Sequence, residues 1–419
     1  DLVTGVQTCA LPISVTNSSG APTPNFGRET TPASVSLAIA KTKPSGTGAV
    51  FGTLKLTKAG VSSDLIAGTT ETLVFTNGVS NTLTTRWSEV GAMTFTASLV
   101  GGAYLGVSAP LTSVGTLTSI PDKFSVVATP TSGCPAFFFS GQPMGLRVTA
   151  LNLQGSTTVN YDGSGQTTPN QAYPVAVELN GTPSTAGVLG LSSLLVSAFD
   201  KGVATVATTA LTPLTFRFGT ALMENKLGAP TTIVLKVTET GGNAVTGTSS
   251  APIALRSGRL RLFNKFGSEK QTMELAAQSQ YWTGKAWVLN ALDSCTNIPT
   301  SAVSLSAYKD NRGASTSTWS TAPLGPLVMA GGSGVIKFSA PNPSATGSVD
   351  VALNLGAASI ASDVSCLSTR SSTTGAGAPW LRSQNGSCAA TYDRDPSARL
   401  TFGVYSPEST KTIYGRELY

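Results

Sequence analysis

The sequence predicts an all-β protein: tandem immunoglobulin-like β-sandwich modules followed by a C-terminal β-rich domain. Three observations carry this expectation. Only 11% of residues are charged, against roughly 25% in an average globular chain, and Ser, Thr, Val, Ala and Gly fill the difference, a mixture suited to pleated, half-solvated strands. Period-two alternation recurs along the chain, as in MTFTASL (93–99) and SVDVALNL (348–355), where apolar and polar or small residues take turns. The 44 Gly and 24 Pro supply the turns that many short strands require.

From the N-terminus onward, the first segment is set aside. VTGVQTCALPI at 3–13 reads as one frame of a translated sequencing adapter, so residues 1–13 are expected to be a scar outside the native fold. Cys9 goes with it, leaving Cys134, Cys295, Cys366 and Cys388; an upstream signal and further domains are expected to lie beyond the break. Residues 14–121 and 122–255 then read as two immunoglobulin-like sandwiches. Asn17-Ser18-Ser19-Gly20 followed by Asn25-Phe26 recurs as Asn152-Leu153-Gln154-Gly155 followed by Asn160-Tyr161, with identical internal spacing. WSEVGAMTFTASLVGG (87–102) and KLGAPTTIVLKVTETGG (226–242) share a short entry, a strand and a Gly-Gly turn. Asn77-Gly78, Asp200-Lys201-Gly202, Gly241-Gly242 and Asn385-Gly386 read as tight turns.

Residues 256–419 form the third, β-rich domain, which holds four of the five Trp and three of the four remaining Cys. The stretch 264–280, the nearest approach to a helical pattern, reads as strand and turn. In YWTGKAWVLN, a Gly284-Lys285 turn places Trp282 opposite Trp287, either as a packed hairpin pair or as an aromatic platform for sugar rings. At the C-terminus, 400–405 and 412–419 read as a hairpin that brings Arg399 to Glu417, either as a partly buried pair or as solvated edge charges. The absence of CxxC pairs and the low charge fit an oxidising compartment, with two disulfides expected: Cys366 with Cys388 across a short loop, and Cys134 with Cys295.

The chain contains no histidine, which removes the commonest general base and the Ser-His-Asp and Cys-His arrangements. Asp393 and Asp395 are the closest carboxylate pair and read as turn formers. No P-loop, dinucleotide fingerprint or calcium loop occurs, so no enzyme, cofactor or metal site is expected. The net charge of +6 and pI near 9.1 come from scattered residues. The densest group, RSGRLRL (256–262), alternates Arg with Leu as a solvated strand face does, so nucleic acid is not an expected partner. No apolar run approaches the ~18 residues of a membrane span.

GRLRLFNKFGSE (258–269), YWTGKAWVLNALDSCT (281–296), TGSVDVALNL (346–355), DPSARLTFGVY (395–405) and TIYGRELY (412–419), with CPAFFFSGQPMGLRVTALNLQGSTTVNYDG (134–163) and PNFGRET (24–30) upstream, resemble the C-terminal domain of MshQ-type proteins. That family is tied to biogenesis of the mannose-sensitive haemagglutinin (MSHA) type IV pilus. The resemblance implies export to the cell surface of a Gram-negative bacterium, a β-rich multidomain body and a role in or on the pilus, the present chain serving as a stalk or assembly domain. It implies pilus or other cell-envelope proteins as partners, with surface glycans as a further ligand class, and supplies no catalytic residues. A general surface adhesin with a glycan site in these modules and a secreted carbohydrate-active enzyme are the alternatives.

Overall fold

The computed structural model describes residues 2–3, 9–10, 13–58, 61–65, 70–80, 83–108, 112–129, 136–219, 227–249, 251–356, 373–383 and 394–403. Its regular structure is β, with three-residue 3-10 turns and no α-helix among the described residues. Three sandwiches follow one another. In the first, one sheet runs Leu2–Val3, Thr112–Ser119, Gly91–Leu99, Val35–Lys43, Thr70–Leu73, and the other Cys9–Ala10, Leu83–Trp87, Leu54–Lys58, Val61–Leu65. The alternation read in MTFTASL holds: Met93, Phe95, Ala97 and Leu99 are buried against Leu37, Ile39, Leu54, Leu56 and Trp87. Backbone of the expected N-terminal scar lies on both sheets, Leu2–Val3 parallel to Thr118–Ser119 and Cys9–Ala10 antiparallel to Thr84–Thr85. Ile13, assigned from sequence to that scar, is half-buried against the first core.

The second sandwich sets the sheet Lys123–Thr129, Gly145–Leu151, Val203–Val206, Phe199–Asp200 against Ser193–Leu194, Val175–Leu179, Leu235–Glu239, Thr246–Thr248. Phe124, Val148, Tyr161, Phe199, Phe216 and Val237 fill the space between. In the third, Met273–Trp282 is flanked by Gly258–Leu262 on one side and by Ser333–Phe338 and Trp287–Leu289 on the other. The facing sheet is Lys265–Gly267, Ser397–Phe402, Gly347–Leu353, Val303–Asp310. The residues of 264–280 are thus strand and turn.

The matched Asn-x-x-Gly segments are one structure repeated. Asn17 Oδ1 accepts the N–H groups of Ser19 and Ala21 at 3.0 and 3.1 Å, and Asn152 Oδ1 accepts those of Gln154 and Ser156 at 3.0 Å each. Gly20 and Gly155 sit at φ 81° and 80°, a conformation glycine adopts at no steric cost. Six residues after each Asn, the N–H of Thr23 or Thr158 donates to Val15 or Ala150. Nine residues after it, Phe26 or Tyr161 enters the core and meets Phe75 or Phe199 edge-on, centroids 5.2 and 5.1 Å apart.

A third copy, not visible as sequence identity, occupies 310–319. Asp310 Oδ1 accepts from Arg312 and Ala314 at 2.8 and 2.9 Å, Gly313 has φ 83°, Thr316 donates to Tyr308, and Trp319 is the buried aromatic. The bridges Thr16↔Pro22, Leu151↔Thr157 and Lys309↔Ser315 occupy equivalent places in the three copies. The common pattern is Asx-x-x-Gly-x-x-Thr-x-x-aromatic.

Candidate functional site

The third sandwich turns one polar and aromatic face outward. Along Gly258–Leu262 the side chains of Leu260 and Leu262 are buried, so Arg259 and Arg261 share the opposite face. Across the ladder Arg259 stands opposite Gln280 and Arg261 opposite Gln278, and one strand further on Trp282 stands opposite Trp287. The hairpin turn places Gly284 at φ 97°, and Thr283 closes it by donating its N–H to Ala286. The indole rings lie 5.7 Å apart at 60°, both half-buried. The Arg259 guanidinium lies 4.3 Å from the Trp287 ring centroid, and its Nε donates to Gln280 Oε1 at 2.9 Å. Gln280 Nε2 donates in turn to Gln278 Oε1 at 3.0 Å.

Stacking on an indole and hydrogen bonding to an amide hold the Arg259 fork in place, so less conformational freedom remains to be lost on binding. π faces, fixed guanidinium groups and amides can stack on planar or C–H-rich ligand surfaces and bind carboxylates. This is recognition chemistry.

Beside this face lies a cleft of about 430 Å³, lined by residues 259–262 on one wall and Ser383, Arg394 and Ser397 on the other. At its floor Asp395 is fully buried and pairs with Arg382, Nε to Oδ1 2.8 Å, while also accepting the N–H of Leu355. Asp395 therefore anchors structure, and Asp393 lies outside the described residues. Among the described residues no group of three His, Cys, Asp or Glu is placed to hold a metal ion.

The remaining sequence candidates divide as follows. Cys295 is disulfide-bonded, whereas Cys134, Cys366 and Cys388 lie outside the described residues, as do Glu417 and the strand read at 412–419. Arg399 meets a carboxylate that the sequence reading did not consider: Asp350, opposite it on Gly347–Leu353, takes Nε at 2.7 Å and Nη2 at 3.2 Å. Hydrogen bonding to Asp350 holds the Arg399 pKa above its ordinary value. Asp350 was not read from sequence because the neighbouring strand, far away in the chain, supplies this cross-strand acid. Arg259, Gln278 and Gln280 were also missed as a unit. Their signal was the shared parity of RSGRLRL and QSQYW once the two strands are paired.

The second and third sandwiches match known family models. Residues 89–254 correspond to the third domain of DUF6701 and residues 256–418 to its fourth. The chain carries two DUF6701 domains. The outward face and cleft belong to the fourth DUF6701 domain, and the change of domain at 254–256 falls within the strand Ile253–Arg256, just before Gly258–Leu262, the first strand of the third sandwich. The third DUF6701 domain match begins within the first sandwich, at the residue before Val90, which packs into the second core.

No curated protein matches the chain. Among solved structures, the I9–I11 tandem of titin is 9% identical with a TM-score of 0.25, covering 88% of this chain and 92% of that one. The protocadherin GammaB4 extracellular domain is 10% identical (TM-score 0.21), covering 84% of this chain but 43% of that one, and Drosophila N-cadherin EC1-4 is 10% identical (TM-score 0.21), covering 78% and 64%. Likenesses this distant carry no argument about function; the tandem-sandwich architecture rests on the strand pairing itself. No helix among the described residues is long and apolar enough to cross a membrane.

Proposed function

We propose that the chain is a non-enzymatic, exported protein of a Gram-negative cell surface, acting as a stalk or assembly domain in a pilus system of the MSHA type. The observation that supports this reading best is the way the sandwiches are joined. Each junction is a set of specific contacts rather than a bare linker: Asn160 of the second sandwich binds the Val50 backbone of the first, and Phe139, which precedes most of the second sandwich, is a core residue of the third. Such junctions suit a spacer that holds its ends apart. The pilus association comes from the MshQ-like motifs and the membership in DUF6701 is compatible with it.

The Trp282–Trp287 pair with Arg259 over one ring favours a second reading, an adhesin that binds surface glycans through the fourth DUF6701 domain. One experiment addresses both. In a bacterium carrying the gene, an epitope-tagged chromosomal copy is expected in the sheared surface fraction with pilin, and deletion is expected to reduce piliation and haemagglutination. Unchanged piliation with lost adhesion would favour the adhesin. Retention of the tag in the cytoplasm would overturn both readings.

A further inference from the structure

The cleft beside the outward face is bounded by a strand edge whose backbone direction can be read from two hydrogen bonds. Trp282 donates its N–H to Ser257, and Phe263 donates its N–H to Ala276, at 3.0 and 3.1 Å. Antiparallel ladders alternate, so between these anchors the odd residues 259 and 261 bond towards Met273–Trp282. The N–H and C=O groups of Leu260 and Leu262 point the other way, into the cleft. Gly258–Leu262 ends its sheet, and no other strand among the described residues pairs with it. The buried side chains of Leu260 and Leu262 fix the strand, and among the described residues this edge is open.

The charges select what can occupy it. Arg261 and Arg394 are exposed and form no ion pair among the described residues, while Asp395, the carboxylate of the lining, is already bound to Arg382. A strand added at this edge places alternate side chains beside Arg259 and Arg261. Pairing with the same edge of a second copy would set arginine against arginine, which disfavours self-association. Carboxylates at alternate positions of an incoming strand would instead meet both forks.

We propose that the Gly258–Leu262 edge is a docking site for an extended acidic segment of a partner protein, which adds to the sheet as a further strand. Backbone hydrogen bonds to Leu260 and Leu262 supply affinity, and Arg261 and Arg394, with Arg259 behind them, supply selectivity. The site is defined by this domain alone and stands whether or not the chain serves a pilus.

Fluorescence anisotropy of the full chain with the labelled peptide Gly-Thr-Glu-Val-Glu-Val-Thr tests it. Saturable binding is expected, with loss of at least about tenfold in affinity when Glu is replaced by Lys. N-methylation of alternate residues, made in both phases, is expected to abolish binding in the phase that faces the edge. The R261E/R394E variant, both positions being exposed, is expected to keep its Tm and to prefer the lysine peptide. Absence of saturable binding would overturn the proposal. So would equal binding of both N-methylated analogues, or equally effective displacement by polygalacturonate, since either would reduce the cleft to a general anion-binding surface.

Discussion

The two junctions between sandwiches solve the same problem with different balances of polar and aromatic contact. Between the first and second, Val90 and Ile120 pack into the second core, and a set of hydrogen bonds surrounds them. The Asn160 side chain accepts the Val50 N–H at 2.8 Å and donates to the Val50 carbonyl at 2.9 Å, while its own N–H donates to Glu89 Oε2 at 2.9 Å. Asn152 Nδ2 donates to the Ser88 carbonyl, and the Ser45 and Thr168 backbones bond reciprocally. Between the second and third, the contacts are aromatic. Phe137 and Phe139, 5.0 Å apart and edge-on, sit in the third core, and Arg256 lies 5.1 Å from the Phe137 ring centroid and 4.5 Å from that of Tyr281. Burial pulls the Arg256 pKa down, partly offset by Tyr281, and its Nη1 donates to Asn290. The first junction is thus directional and holds a buried titratable group, Glu89, whereas the second rests chiefly on buried aromatic area.

The largest effect is expected at Phe139. Phe139→Ala empties a fully buried site and is expected to destabilise the third sandwich by about 3–5 kcal/mol. Denaturant unfolding followed by Trp fluorescence would show it; a loss confined to the second sandwich would place Phe139 on the wrong side of the junction. Asn160→Ala comes next. It strands the Val50 backbone groups and is expected to cost ~1–3 kcal/mol in the first sandwich, with the third untouched. Hydrogen exchange resolved by sandwich would separate this from a general loosening.

The smallest effect is expected from pH. Glu89 is buried at the first junction, and desolvation raises its pKa, opposed by backbone N–H groups of Asn160, Val159 and Val90 and by Lys41. A carboxyl with a raised folded-state pKa binds its proton more tightly folded than unfolded. Its contribution is therefore complete below the ordinary value of 4.5 and is lost as pH rises through the folded value. The Tm of the first transition should fall modestly as pH rises from 4.5 towards neutrality, and Glu89→Gln should flatten that slope. A slope that survives the substitution would assign it to another group.

Much of this was legible in the sequence. Alternation in MTFTASL and SVDVALNL named strands, turn residues named hairpins, and YWTGKAW contained the register of its two tryptophans because a two-residue turn leaves no freedom. What stayed hidden was pairing between distant strands. Arg399 was matched to a carboxylate across a nearby turn, while Asp350 lies on the strand beside it and only the sheet order reveals this. The third turn copy escaped because Asp310 and Trp319 replace Asn and Phe or Tyr; equivalence of hydrogen-bonding role, rather than identity, was the signal. Phe137 and Phe139 read as part of the second module because chain order says nothing about which core an edge strand enters.

The tenth residue of the repeated turn grows along the chain from Phe26 to Tyr161 to Trp319, and each is fitted differently. Phe26 touches Phe75 and Tyr104, Tyr161 also donates its hydroxyl to buried Glu239, and Trp319 packs between Tyr308 and Phe402. Tandem domains of one architecture run the risk, while emerging unfolded, of trading equivalent strands with their neighbours. A turn that carries indole cannot enter a core shaped for phenyl without overpacking, and the reverse exchange leaves a void. The graded aromatic thus fits each copy of the turn to its own core, and an exchange between copies would cost packing in both.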